Sequence, residues 1–107
     1  MRRFLAVATA MLISGVAFGA DPVSIDVENF TAERGISTLV LKVTNNTTAH
    51  IDRAYIDCAF LTEDERPIDI GKALVTNLAA GGHAYDKASI PTTDGVAKAD
   101  CRVVNYR

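Results

Sequence analysis

The stretch Tyr55–Ile70, YIDCAFLTEDERPIDI, alternates apolar and polar side chains and then breaks into an acidic turn. Followed back to Ile51, it puts Ala54, Ile56, Cys58 and Phe60 on one face and Arg53, Tyr55, Asp57 and Ala59 on the other. A period of two is that of a strand buried on one side. EDERP reads as a polar turn, and Pro67 opens a further short segment, Ile68 to Leu78, in which Gly71 is expected to mark a bulge.

The same rhythm runs outward in both directions. Val23 to Phe30 alternates Val23, Ile25 and Val27 with Ser24, Asp26 and Glu28, and TAERG is the expected turn after it. Ile36 to Thr44 is rich in β-branched residues, with Leu39, Leu41 and Val43 on one face. Asn45 and Asn46 begin NNTTAH and are expected to make a tight turn, since asparagine tolerates positive φ. His83 to Ile90 and Val96 to Tyr106 complete the series. The last alternates Ala97, Ala99, Cys101 and Val103 against Lys98, Asp100, Arg102 and Val104. Nothing after residue 20 has the spacing of a long amphipathic helix. Short strands at this interval predict an all-β fold, a small β-sandwich of six or seven antiparallel strands.

The first twenty residues, MRRFLAVATAMLISGVAFGA, have a different character. Arg2 and Arg3 precede an apolar core from Phe4 to Ile13, and small residues follow at Ser14, Gly15, Ala17, Gly19 and Ala20. This is the layout of a secretory signal peptide, with cleavage expected after Gly19 or Ala20. The apolar run is short against the roughly 20 residues of a membrane span. The expected organisation is therefore a signal peptide at 1–20 and one domain at 21–107, exported to the periplasm or secreted. Of 11 basic residues Arg2 and Arg3 lie in the leader, so the domain carries nine against 13 acidic ones. A mildly acidic domain with scattered charge gives no reason to expect nucleic acid, or a membrane surface once the leader is gone, as a partner.

A domain of this size has a limited core and is often stapled. Its two cysteines, Cys58 and Cys101, both stand on apolar faces. In an oxidising compartment a disulfide is the default reading, ahead of buried thiols or a redox or nucleophilic cysteine, for which no CxxC spacing or adjacent base is present.

The segment LVLKVTNNTTAHIDRAYIDCAFLTEDERPI resembles the V-x-V-x-N … V-x-V-x-x-x-F core of small extracytoplasmic immunoglobulin-like modules, nearest to FxLYD-type domains. NLAAGGHAYDKASI is similar to the L-x-P-G-x-x-x-x-F segment that follows in those domains, with Ala80 where proline is usual. Cys58, Phe60, Leu61 and Thr62 stand where the F, L, Y and D of the signature would be. The resemblance implies an immunoglobulin-like sandwich without catalytic residues. It also implies that the Ile51–Thr62 and Val96–Tyr106 strands are antiparallel neighbours, with Cys58 and Cys101 a cross-strand pair at the core.

Few residues suggest chemistry. His50 and His83 are far apart in sequence, each beside a turn; with Asp52 they make up the one metal-site alternative, a small periplasmic metal-binding protein. Glu63, Asp64 and Glu65 lack the spacing of a calcium loop and read as an acidic hairpin tip. No phosphate loop, serine elbow or zinc helix is present. No cofactor is expected. The sequence thus points to a non-enzymatic exported module that binds a protein or envelope component. Arg53, Tyr55 and Asp57 on the outward face of the central strand, joined by Tyr85 and Tyr106, are the candidate contacts, and Arg102 is the expected partner of Asp57.

Overall fold

The computed structural model describes residues 21–107; the expected signal peptide at 1–20 lies outside the described residues. The chain forms six strands: β1 (Val23–Glu33), β2 (Ile36–Asn45), β3 (Ile51–Leu61), β4 (Pro67–Leu78), β5 (His83–Ile90) and β6 (Lys98–Tyr106). They make two antiparallel sheets of three strands, β1-β2-β5 and β4-β3-β6. The all-β expectation holds, and among the described residues there is no helix.

The inward faces of the two sheets share one core. Leu39, Leu41 and Val43 of β2 meet Ile56, Cys58 and Phe60 of β3, with Val75 and Leu78 of β4 and Ala88 and Ile90 of β5 around them. The alternation read in β2 and β3 is the alternation of burial. Cys58 and Cys101 are register partners on β3 and β6 and are joined by a disulfide. A disulfide is characteristic of a compartment outside the cytoplasm.

Several local expectations are corrected. The first turn is Arg34-Gly35, not the whole of TAERG, since β1 continues to Glu33. Both residues have positive φ (54° and 76°), which matches the right-handed twist of a two-residue hairpin. Gly71 makes no bulge: it pairs with Cys58 in unbroken register. The bulges lie elsewhere, between Val27 and Asn29 on β1, opposite Phe60 and Leu61 on β4, and at Val104 on β6. Gly71 is instead a point of close approach. A Cβ there would lie 2.9 Å from the Ser89 carbonyl oxygen and 3.1 Å from the Phe60 ring.

Neither Asn45 nor Asn46 takes the positive φ expected of a tight turn. Asn45 ends β2 with no exposed surface. Its Nδ2 donates to the carbonyls of Ala49 (2.8 Å), Leu78 (3.0 Å) and Ala79 (3.2 Å). Its Oδ1 accepts from the Thr47 amide (2.9 Å) and hydroxyl (2.6 Å). Its backbone bonds to Gly81 and Gly82. One side chain thus ties the β2–β3 crossing to the β4–β5 crossing. A buried amide has both donors and an acceptor for such a place, where an apolar residue would leave carbonyls unpaired.

Candidate functional site

The outward face of the β4-β3-β6 sheet is built by alternation. Where Ala54, Ile56 and Cys58 point to the core, Arg53, Tyr55 and Asp57 point away. Register places Leu74 beside Tyr55 and Lys72 beside Asp57 on β4, with Asn105 and Arg102 in the corresponding places on β6. A shallow depression of about 620 Å³ results, lined by Tyr55, Asp57, Lys72, Leu74, Val104 and Asn105, with Asp86 at its β5 side. Leu74 and Val104 expose 43% and 52% of their surface, so the depression carries apolar contact area beside charge.

Asp57 takes its ion pair from Lys72, whose Nζ lies 3.1 Å from Oδ1, and not from Arg102 as expected. A central strand has a neighbour on each side, and the sequence reading weighed only one. Arg102 faces Asp57 in register from β6.

Tyr55 is the centre of a cationic group. Arg107 Nη2 donates to its hydroxyl at 3.1 Å, and the guanidinium carbon lies 5.8 Å from the ring centroid. Hydrogen bonds from Arg53 and then Arg107 hold the Tyr55 phenol below its ordinary value, because both guanidiniums favour the phenolate. The bond to Tyr55 likewise raises the Arg53 pKa.

Arg107 is the residue that sequence reasoning missed. Unbroken alternation would set Tyr106 opposite Arg53. The bulge at Val104 shifts the register by one, so Tyr106 pairs with inward-facing Ala54 and Arg107 exchanges backbone bonds with Arg53 (3.0 and 3.1 Å). A signal existed: continued phase would have turned polar Asn105 to the core. Tyr85 is exposed too, but on the outward face of the other sheet, with Lys42 as its register partner.

The histidines have separate partners. His50 Nε2 lies 3.2 Å from Asp52 Oδ1, while the His83 ring meets Tyr85 edge-on at 5.6 Å. Among the described residues no three or more His, Cys, Asp or Glu side chains converge as a metal site would require. At the acidic tip, Asp64 pairs with Arg66 at 3.1 Å and accepts from the Thr62 hydroxyl, and Glu65 pairs with Lys98 at 2.9 Å. The Thr62 hydroxyl is the main cause of an Asp64 carboxyl below its usual range.

No protein-family model, curated protein or solved structure matches this chain.

Proposed function

We propose that the protein is an exported, non-enzymatic module with an immunoglobulin-like β-sandwich akin to FxLYD-type domains, and that it binds a protein or another envelope component through the outward face of the β4-β3-β6 sheet. The observation behind this reading is that Tyr55 and Asp57 line one depression that also exposes Leu74 and Val104, with Arg53 beside it as a partner of Tyr55. Tyrosine and arginine contribute much of the energy at protein interfaces, and an apolar floor beside fixed charges gives both affinity and orientation.

The test is site-specific photocrosslinking in the native envelope. A crosslinker at Leu74 is expected to give a discrete product that Tyr55→Ala weakens, while one at Thr38 on the opposite sheet gives none. Equal products from both faces, or none from Leu74, would refute the reading. Zn²⁺ titration discriminates the two-histidine alternative: the melting temperature stays unchanged here, whereas an upward shift abolished by His83→Ala would favour metal binding.

A further inference from the structure

The two sheets meet along two long sides, and on one of them the strand edges are unpaired among the described residues. On that side β1 and β6 are both edge strands, each hydrogen-bonded to a neighbour on one flank only among the described residues. Of the eight half-buried apolar residues packed on the core, five belong to these two strands: Ile25, Val27, Phe30, Cys101 and Val103.

The backbone of β6 is set to receive another strand. The Cα atoms of Cys58 and Cys101 are 3.9 Å apart. This is the spacing of a non-hydrogen-bonded pair, about 4.5 Å, rather than that of a hydrogen-bonded one, about 5.5 Å. In such a pair the N–H and C=O groups point away from the partner strand. Ala99, Cys101 and Val103 share that phase, so they aim their backbone groups at the free side.

The charges indicate what fits there. β1 carries Asp26, Glu28 and Glu33 and no basic residue within the strand, with Arg34 in the turn just beyond it. The β6 edge carries Arg102 and Lys98, the latter paired with Glu65, and just beyond it Arg107, bonded to Tyr55, against Asp100 on the strand itself. Charge on an edge normally discourages pairing with a like edge; here the two edges have opposite sign. Their order also matches. From the end where β2 hands over to β3, the acids rise as Asp26, Glu28, Glu33 and the cations as Arg107, Arg102, Lys98. The connections make β1 and β6 run in opposite directions. A two-fold axis along the strands keeps these heights and places β1 of one copy antiparallel to β6 of the other, twice. We propose that the occupant of this side is a second copy of the chain, forming a closed dimer in which each β6 pairs with the partner's β1. The half-buried apolar residues of both edges then become core, and no edge is left open on that side. The edge shares Arg102 and Arg107 with the face that carries Arg53, Tyr55 and Asp57, so the assembly is read from mass and amide exchange, which do not depend on the binding role.

Sedimentation equilibrium of the purified protein across a wide concentration range is expected to show a mass that rises from one chain to two. Hydrogen exchange is expected to show the amides of Ala99, Cys101 and Val103 gaining protection as concentration rises, while those of Asp100 and Arg102, already bonded to β3, change little. Arg102→Glu, an exposed substitution whose folding is checked by an unchanged melting temperature of the dilute monomer, should raise the dissociation constant about tenfold. Arg102→Glu combined with Glu28→Arg should recover part of that loss. A monomer at all concentrations, an unaltered dissociation constant in R102E, or protection gained on β4 in place of β6 would each overturn the proposal.

Discussion

The side where β4 meets β5 and the side where β1 meets β6 join the same two sheets by opposite means. At β4–β5 the backbones come together because Gly71 has no side chain to hold them apart, and the Asp86 carboxylate accepts the otherwise free Leu74 N–H at 2.8 Å. On the β1–β6 side, neither β1 nor β6 contains a glycine. There β6 is held from within, by the Cys58–Cys101 bond to β3. The contrast teaches that a two-sheet core needs each edge closed separately. One edge is closed by a small residue and a side-chain acceptor, while on the other side the staple fixes β6 to its own sheet and does not reach β1.

The largest expected effect falls on the staple. Cys58→Ala with Cys101→Ala removes a link across 43 residues, a loss of about 4 kcal/mol by loop entropy, to be read from urea denaturation. Amide exchange should show β6 losing protection before β4; even loss across both strands would break the comparison. Next comes the closed side. Gly71→Ala drives a methyl group onto the Ser89 backbone and should cost about 1–3 kcal/mol. Ala32→Val, an enlargement of the same kind at an exposed position of β1, should stay within about 0.5 kcal/mol. Comparable costs would mean that β4 and β5 are no more tightly apposed than β1 and β6.

Asp86→Ala should cost about 1 kcal/mol and speed exchange of the Leu74 amide, with Asp86→Asn restoring most of the protection because an acceptor oxygen remains. The smallest effect is spectroscopic and sits at the end of the stapled strand. Arg107→Ala removes one of two cations that favour the Tyr55 phenolate, so ultraviolet titration should move the Tyr55 midpoint upward. Arg53 is the larger cause and remains, so the midpoint should stay below the ordinary tyrosine value. An unmoved midpoint would show that the bulge at Val104 does not bring Arg107 to the outward face.

Much of this architecture was legible in advance. Leu39, Leu41 and Val43, and Ile56, Cys58 and Phe60, are buried as their spacing predicts, because a strand between core and solvent forces a period of two on its sequence. The outward positions of Arg53, Tyr55 and Asp57 follow from the same rule. It failed where the period slips. An extra residue at Val104 exchanged Tyr106 for Arg107 beside Arg53; polar Asn105 at an inward phase hints at the slip, and the pairing of β3 with β6 places it. Turn chemistry misled as well. Asn45 has the composition of a turn, yet its amide serves carbonyls 33 and 34 positions away. Gly71 looked like a break in a strand and proved to be a contact between strands of different sheets.

By itself, the sequence determined the elements, their inward faces and the presence of two cysteines able to pair, since these depend on neighbours two residues apart and on composition. The tertiary structure alone decided which edges close, which cation reaches Asp57 and which arginine joins Tyr55. Those outcomes depend on register and on the approach of backbones distant in sequence, and a shift of one residue in pairing reverses them.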